Sequence, residues 1–449
     1  MSRLPAAAES ESDQPPLAGA HRITRRAITG WVLYDLANTI FMMGVISFLF
    51  PLWVRDEVGP ARADARYGII SAISMGIIFL FSPLLGAMTD RARTRMPFLM
   101  VSTLICIALT ALLGRGPFMT TAILFVVANI AYQASQQFYD ALLPEVSTPE
   151  NRGRIGGIGV GVGYLGSYIA IGLSLLVGTE NKPRLFTLYA IAFLVFSIPC
   201  VLFVKERGNP TPRPINFAAI MESLRGTYDA LRHSQKFPGL LRFLVGRVFY
   251  TDAINTVINI MVLYTVNVAV AGGLDKAQGE AKAQIIMLFA ITFAIAGGFA
   301  WGWLADKIGP RRTLHNVLYF WMGIFVLAAL VGMFKLPLFF MFVVAGAAGF
   351  AMGGVWAADR PFMLRLTPPH RIGEFYGLYG MVGRFSAITG PIVWAAVTSA
   401  LIKAGATPLK AQGFAVLVLL ALVLISYAIL RPVSDNVERR AEPTVPTTP

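Results

Sequence analysis

The chain has 449 residues, of which 56% are hydrophobic and only 14% charged, with a mean hydropathy of +0.63. That composition excludes a soluble multidomain protein, whose surface would need far more charge, and reads as an integral membrane protein. The net charge of +14 does not imply a nucleic-acid partner, because it follows membrane topology rather than one soluble face.

Crossing roughly 30 Å of hydrocarbon takes about 20 helical residues. Apolar runs of that order lie near residues 28–52, 67–89, 97–114, 117–140, 156–179, 185–204, 240–268, 282–305, 312–334, 336–358, 373–401 and 411–431. Backbone groups in lipid must be satisfied internally, so the expected elements are twelve helices in an all-α polytopic fold. The domains read as a cytoplasmic tail (1–27), a six-helix bundle (28–204), a basic cytoplasmic connector (205–239), a second six-helix bundle (240–431) and a cytoplasmic tail (432–449). On this topology 24 Lys and Arg fall in cytoplasmic segments and 11 on the opposite side. Arg247, Arg360 and Arg384 lie within spans or at their edges, and the asymmetry is the positive-inside pattern.

The N-terminal tail carries Glu9, Glu11 and Asp13 before Arg22, Arg25 and Arg26. The first apolar run is too long for a signal-peptide core and is expected to be retained. It opens with Gly30-Trp31-Val32-Leu33-Tyr34-Asp35-Leu36-Ala37-Asn38-Thr39, and the seventh contains Asp252-Ala253-Ile254-Asn255-Thr256. Both carry Asp-x-x-Asn-Thr, 217 residues apart, with Asp and Asn on one helical face. Asp35, Asn38, Asp252 and Asn255 are therefore expected to face a bundle interior or water, as a carboxylate at membrane depth must. Neutralised or paired with a cation, such a carboxylate suits proton coupling; the alternative is a local ion pair or cap, and for Asp252 the presence of Arg247 five residues away weakens the case for a free titrating site.

Between the second and third spans lies the turn Gly86-Ala87-Met88-Thr89-Asp90-Arg91-Ala92-Arg93-Thr94-Arg95, echoed 216 residues later by Gly302-Trp303-Leu304-Ala305-Asp306-Lys307-Ile308-Gly309-Pro310-Arg311-Arg312. A third echo, at 219, relates Asp140 and Thr148-Pro149 to Asp359 and Thr367-Pro368. Three matches at nearly one offset indicate two six-helix halves related by a parallel repeat, with a substrate site between them near mid-membrane. Asp90 and Asp306 end helices, where the macrodipole disfavours a carboxylate. By pseudo-symmetry Asp90 should face the start of the eleventh helix near Arg371, and Asp306 the start of the fifth near Arg152 and Arg154, where free N–H groups favour it. With Arg91, Arg95 and Arg311 these form a candidate cytoplasmic gate, against the plainer reading of a topology determinant.

On the fourth span Asn129, Gln133 and Gln137 share an i+4 stripe, joined by Tyr132 and Gln136. They are read as cavity lining, with interhelical hydrogen bonding as the alternative. Asp359 and Arg360 are adjacent and compatible with an end-of-helix pair. In the connector, Phe217, Ile220, Leu224, Tyr228 and Leu231 follow Asn216 at helical spacing, as in an amphipathic helix on the membrane surface. Arg384, about three turns into the eleventh span, offers bidentate geometry for a carboxylate or other anion.

Other signals carry no chemistry. Gly161-Val162-Gly163-Tyr164-Leu165-Gly166 matches a dinucleotide fingerprint but sits in an apolar span, where small residues such as Gly159 and Gly163 form a packing face. Cys106 and Cys200 read as apolar packing residues. His21, His233, His315 and His370 are scattered, so neither a metal site nor any other cofactor is expected, and no nucleophile with a positioned base indicates an enzyme.

The pattern Gly-x-x-x-Asp-Arg/Lys-x-x-x-Arg, repeated half a chain apart, resembles the cytoplasmic signature of the major facilitator superfamily, with Arg93 and Thr94 where a glycine is common. Phe138-Tyr139-Asp140-Ala141-Leu142-Leu143-Pro144-Glu145 continues through Thr148-Pro149-Glu150-Asn151-Arg152-Gly153-Arg154 to Gly163-Tyr164-Leu165-Gly166. Together with Tyr34-Asp35-x-Ala37-Asn38, Glu374-Phe375-Tyr376-Gly377-Leu378-Tyr379, Gly383-Arg384-Phe385-Ser386 and Gly390-Pro391, it is similar to the autophagy-linked vacuole effluxer family and its bacterial relatives. Asp140 stands where that family leads one to expect Asn. The resemblance implies the major facilitator fold, a bacterial inner membrane and a cavity lined by the first and seventh helices, which makes Asp35, Asn38, Asp252 and Asn255 candidates for the transport pathway. Amino-acid efflux is what it implies for function.

The resulting expectation is a monomeric secondary transporter of a small polar solute, an amino acid favoured, working by alternating access with or without protons. The alternatives are a proton-coupled drug or sugar exporter of the same fold, and a non-transporting sensor or scaffold, which need not keep the buried polar set.

Overall fold

The computed structural model describes residues 23–178, 180–209, 239–368 and 371–434, with positions 212, 221 and 225. The amphipathic connector helix expected around Phe217–Leu231 lies outside the described residues, as do most of both tails.

Regular structure among the described residues is helical. The long helices are α1 (Arg25–Val58), α2 (Pro60–Arg91), α3 (Met96–Leu112), α4 (Phe118–Asp140), α5 (Arg152–Val177) and α6 (Lys182–Phe203). They continue as α7 (Leu240–Ala271), α8 (Lys276–Ile308), α9 (Pro310–Phe334), α10 (Phe339–Leu366), α11 (Ile372–Lys403) and α12 (Pro408–Leu430). Each expected apolar run falls on one of them, and local signals set their ends. Thr24 Oγ1 accepts from Ala27 N at 3.1 Å to open α1, and Asp275 and Gln278 form a capping box on α8. Gly309, at φ 88°, turns the chain directly from α8 into α9, which starts at Pro310.

Among the described residues nine helices are long and apolar enough to cross a membrane, and the pair Leu240–Ile258 and Ile260–Ala271, bent by 47° within α7, makes a tenth. The expected twelve also counts α3, of 17 residues, and α11, in which Ile392–Lys403 stands as a shorter apolar helix among the described residues. Leu80, Leu175, Leu176 and Phe339 are exposed on the outside, as lipid-facing side chains are in a multi-pass membrane protein.

The repeat is visible in the packing. In the first half α1 packs on α5 and α6, α3 on α4 and α6, and α2 on α4; each pair recurs six helices later among α7–α12. The halves meet chiefly through α2 against α11 and α5 against α8, again related by the same shift. Both seams need glycine. A Cβ on Gly302 would stand 2.8 Å from Gly157 Cα, and one on Gly377 would stand 2.7 Å from Ser82 O. Gly159 and Gly163 instead face Trp31 and Asp35 on α1.

Candidate functional site

Between the halves lies a cavity of about 660 Å³. In the middle of α1 the chain is π-helical over Phe41–Leu49, and Met42, Met43, Ile46 and Ser47 from that stretch line the wall. Most of the lining is apolar, with Asn38, Tyr132, Gln133 and Gln137 from the first half and Asn255, Tyr376 and Tyr379 from the second. The charges are divided. Both lining carboxylates, Asp35 and Asp140, come from the first half, and all three lining guanidiniums, Arg247, Arg360 and Arg384, come from the second.

These charges are satisfied to different degrees. Arg247 Nε contacts Asp359 Oδ2 at 3.1 Å, Nη1 donates to Tyr379 O at 2.9 Å, and its guanidinium lies 3.5 Å from the centre of the Tyr379 ring. Asp359, fully buried, also accepts from the hydroxyls of Tyr250 (2.7 Å) and Tyr379. Arg384 crosses between the halves, donating through Nη1 to Ser82 Oγ at 2.5 Å and through Nη2 to Gln133 O at 3.1 Å. Gln137 completes that group by donating to Ser82 O at 2.9 Å and accepting from Ser82 Oγ. Arg360 also crosses between the halves, its Nε 3.3 Å from Asp140 Oδ1, without hydrogen-bond alignment. Asn38 is 2% exposed, and neither polar atom of its side chain has a hydrogen-bond partner.

Of the residues expected in the pathway, Asp35, Asn38, Gln133, Gln137, Asn255 and Arg384 line this cavity. Asn129 and Asp252 do not, which corrects the sequence reading. Asn129 Nδ2 donates to Ser74 Oγ at 2.8 Å, so it joins α4 to α2, and Asp252 accepts from Thr389 Oγ1 at 2.8 Å, so it is turned toward α11. Arg247 is not the partner of Asp252, and Asp359 and Arg360 do not pair with each other. Successive helical residues point to different faces, which sends Asp359 to Arg247 on α7 and Arg360 to Asp140 on α4. The chain echo marks Asp140 and Asp359, but their arginine partners come from other helices and leave no pattern in the sequence.

At the end of the cavity nearer Asp140 the halves are closed against each other. Asp90 accepts from Gly373 N and Glu374 N, both at 2.8 Å, at the start of α11, and contacts Arg95 Nη2 at 2.9 Å. Asp306 Oδ2 accepts from Arg154 N at 3.0 Å at the start of α5. Of the arginines expected here, Arg91 ends α2, Arg371 pairs with Glu374 at 2.7 Å, and Arg152 Nε donates to Ser147 Oγ at 3.4 Å. Arg311 is displaced from the expected gate: its Nη2 donates to Arg431 O at 2.7 Å, at the end of α12 in its own half. Residues after α6 brace the Asp90 turn, with Glu206 accepting from Arg95 N at 2.7 Å and Asn209 Nδ2 donating to Asp90 O at 2.9 Å. Burial raises the Glu206 carboxyl above its ordinary value, opposed by its backbone donors.

Residues 63–441 match the family described as "Vacuole effluxer Atg22 like". The chain belongs to this family. It is 26% identical to the uncharacterized MFS-type transporter YxiO of Bacillus subtilis, over 90% of this chain and 94% of that one. It is 24% identical to autophagy-related protein 22-1 of Penicillium rubens, over 55% of this chain and 44% of the fungal protein. Among solved structures it resembles the human organic anion transporter MFSD10 (TM-score 0.67, 18% identity, 93% of this chain and all of that one). It also resembles a bacterial homologue of the iron transporter ferroportin in an outward-facing state (TM-score 0.70, 14% identity, 91% and 98% covered). The fold is that of the major facilitator superfamily, and the family is one of transporters, not enzymes.

Proposed function

We propose that this member of the family is a secondary active transporter that carries a small polar solute by alternating access, with an amino acid as the favoured substrate and protons as the coupling ion. The observation that carries this reading is the division of charge across the cavity, with carboxylates on one half and guanidiniums on the other. A zwitterion placed between them meets complementary charge at both ends, whereas a sugar needs neither. The buried, unpartnered amide of Asn38 adds a donor and an acceptor of the kind an α-ammonium or carboxylate uses. The family description supports efflux as the direction.

The contacts of Asp90 and Asp306 belong to the state closed on their side, which the Lys and Arg distribution assigns to the cytoplasm, with both termini there. A monomer in a bacterial inner membrane completes the reading. Release of these contacts lets the halves rock and expose the cavity on that side. The test is uptake and counterflow of radiolabelled amino acids in proteoliposomes, with and without an imposed pH gradient. Saturable flux that a gradient accelerates is expected; saturable flux of sugars with none of any amino acid overturns the substrate class.

A further inference from the structure

The cross-half contact of Asp140 with Arg360 is incompletely made. Arg360 Nε and Nη1 and Asp140 Oδ1 have no hydrogen-bond partner, although the two residues are only 7% and 6% exposed. Arg247 and Arg384 each give at least two hydrogen bonds within the protein, although Arg384 Nε is also without a partner. A buried guanidinium with idle donors is costly unless another acceptor uses them in part of the cycle.

We propose that Asp140 and Arg360 form an exchangeable bolt between the halves, holding the Asp90 side shut, in which a proton replaces Arg360 on Asp140 and a solute carboxylate replaces Asp140 on Arg360. This rests on the transporter reading and names where its proton and its carboxylate bind. The balance is simple: one O–H bond forms on Asp140, the guanidinium stays cationic throughout, and the incoming carboxylate restores neutrality. One proton and one carboxylate therefore enter together. The charged groups facing Asp140 are Arg360 and Asp359 on α10, Asp35 on α1, Arg247 on α7 and Arg384 on α11. The hydroxyls of Tyr132, Tyr139, Tyr376 and Tyr379 also surround it. Asp359 is held by Arg247 and two tyrosines, which leaves Asp35 as the competing proton acceptor.

The test uses the full chain in nanodiscs with Ala357→Cys. Ala357 is buried on α10, its carbonyl toward Gly156 of α5, so it becomes reachable only when the halves part on that side. Cys106 and Cys200 are buried, and the unsubstituted chain measures their background. N-ethylmaleimide labelling is read as a fraction of that in the same sample unfolded at the same pH, which removes the thiol's own pH dependence. Acidification should raise labelling about tenfold, as loss of one charge-assisted contact would. Asp140→Asn should show the raised labelling at alkaline pH and no response to acid, while Asp35→Asn keeps the response. Continued protection in Asp140→Asn, or a response that vanishes in Asp35→Asn instead, overturns the bolt.

For the carboxylate, a mixture of the common L-amino acids should raise labelling, the matching amino acid amides should not, and Arg360→Lys should abolish the effect. Equal action of acids and amides, or no action of either, overturns the carboxylate step. The acid arm needs no solute, so a bolt that responds to pH in a chain that carries no amino acid separates failure of the substrate reading from failure of the bolt.

Discussion

Asp140 and Asp359 are matched by the repeat on equivalent helices, Asp140 ending α4 and Asp359 lying inside α10, yet their surroundings differ. Asp359 sits within its own half, gripped by Arg247, Tyr250 and Tyr379, while Asp140 reaches across to an arginine of the other half with poor alignment. The same divergence appears at Asp35 and Asp252: the first lines the cavity, and the second is tied to Thr389. A duplicated fold has thus assigned its matching carboxylates to different tasks, leaving those of the first half at the cavity and consuming those of the second in structure.

The largest expected effect tests that contrast at Asp359. Asp359→Ala strands Arg247 as an unpaired buried charge, which costs about 3–5 kcal/mol. Asp140→Asn keeps an amide oxygen beside Arg360, which Asp35 also faces, so it should cost less, about 1–2 kcal/mol. Thermal unfolding of the purified variants in one detergent decides it, and equal losses would mean that the two pairs are held alike.

Transport separates the second pair. Asp35→Asn removes a carboxylate from the cavity wall and should raise KM for a carried amino acid about tenfold, the worth of one charge-assisted contact. Asp252→Asn keeps an acceptor for Thr389 Oγ1 and touches no part of the cavity, so its KM should stay within about twofold of wild type, within the scatter of a neutral change. A large KM change in Asp252→Asn would put that residue back in the pathway.

The architecture is readable in the sequence because hydropathy and the repeat are properties of one chain laid out in order. Where two helices face each other is not. The stripe of Asn129, Gln133 and Gln137 correctly shares a helical face, but α2 covers its outer end and only Gln133 and Gln137 meet the cavity. The partners of Asp140 and Asp359 depend on which way residues 359 and 360 point, about 100° apart on a helix. Adjacency invites pairing them, whereas the rule that neighbouring helical positions do not face each other already argues against it. The π-helical stretch of α1 and the orphaned amide of Asn38 arise from tertiary packing, for which the sequence carries no local mark.

The smallest expected difference lies at the gate, between Asp90 and Asp306. Asp90 takes two backbone N–H groups of α11 and the Arg95 guanidinium, whereas Asp306 faces the N–H groups of Gly153 and Arg154 at the start of α5 with no guanidinium contact among the described residues. Both sit at an unfavourable helix end that the opposing helix N-terminus offsets. Asparagine keeps one acceptor and loses the charge, so Asp90→Asn should weaken the closed state by about 1 kcal/mol, roughly fivefold in population, and Asp306→Asn by about half that energy. Labelling of Ala357→Cys at alkaline pH measures both against the same reference. If Asp306→Asn opens the chain as readily as Asp90→Asn, the two turns share the closure equally, and the asymmetry is confined to the carboxylates around the cavity.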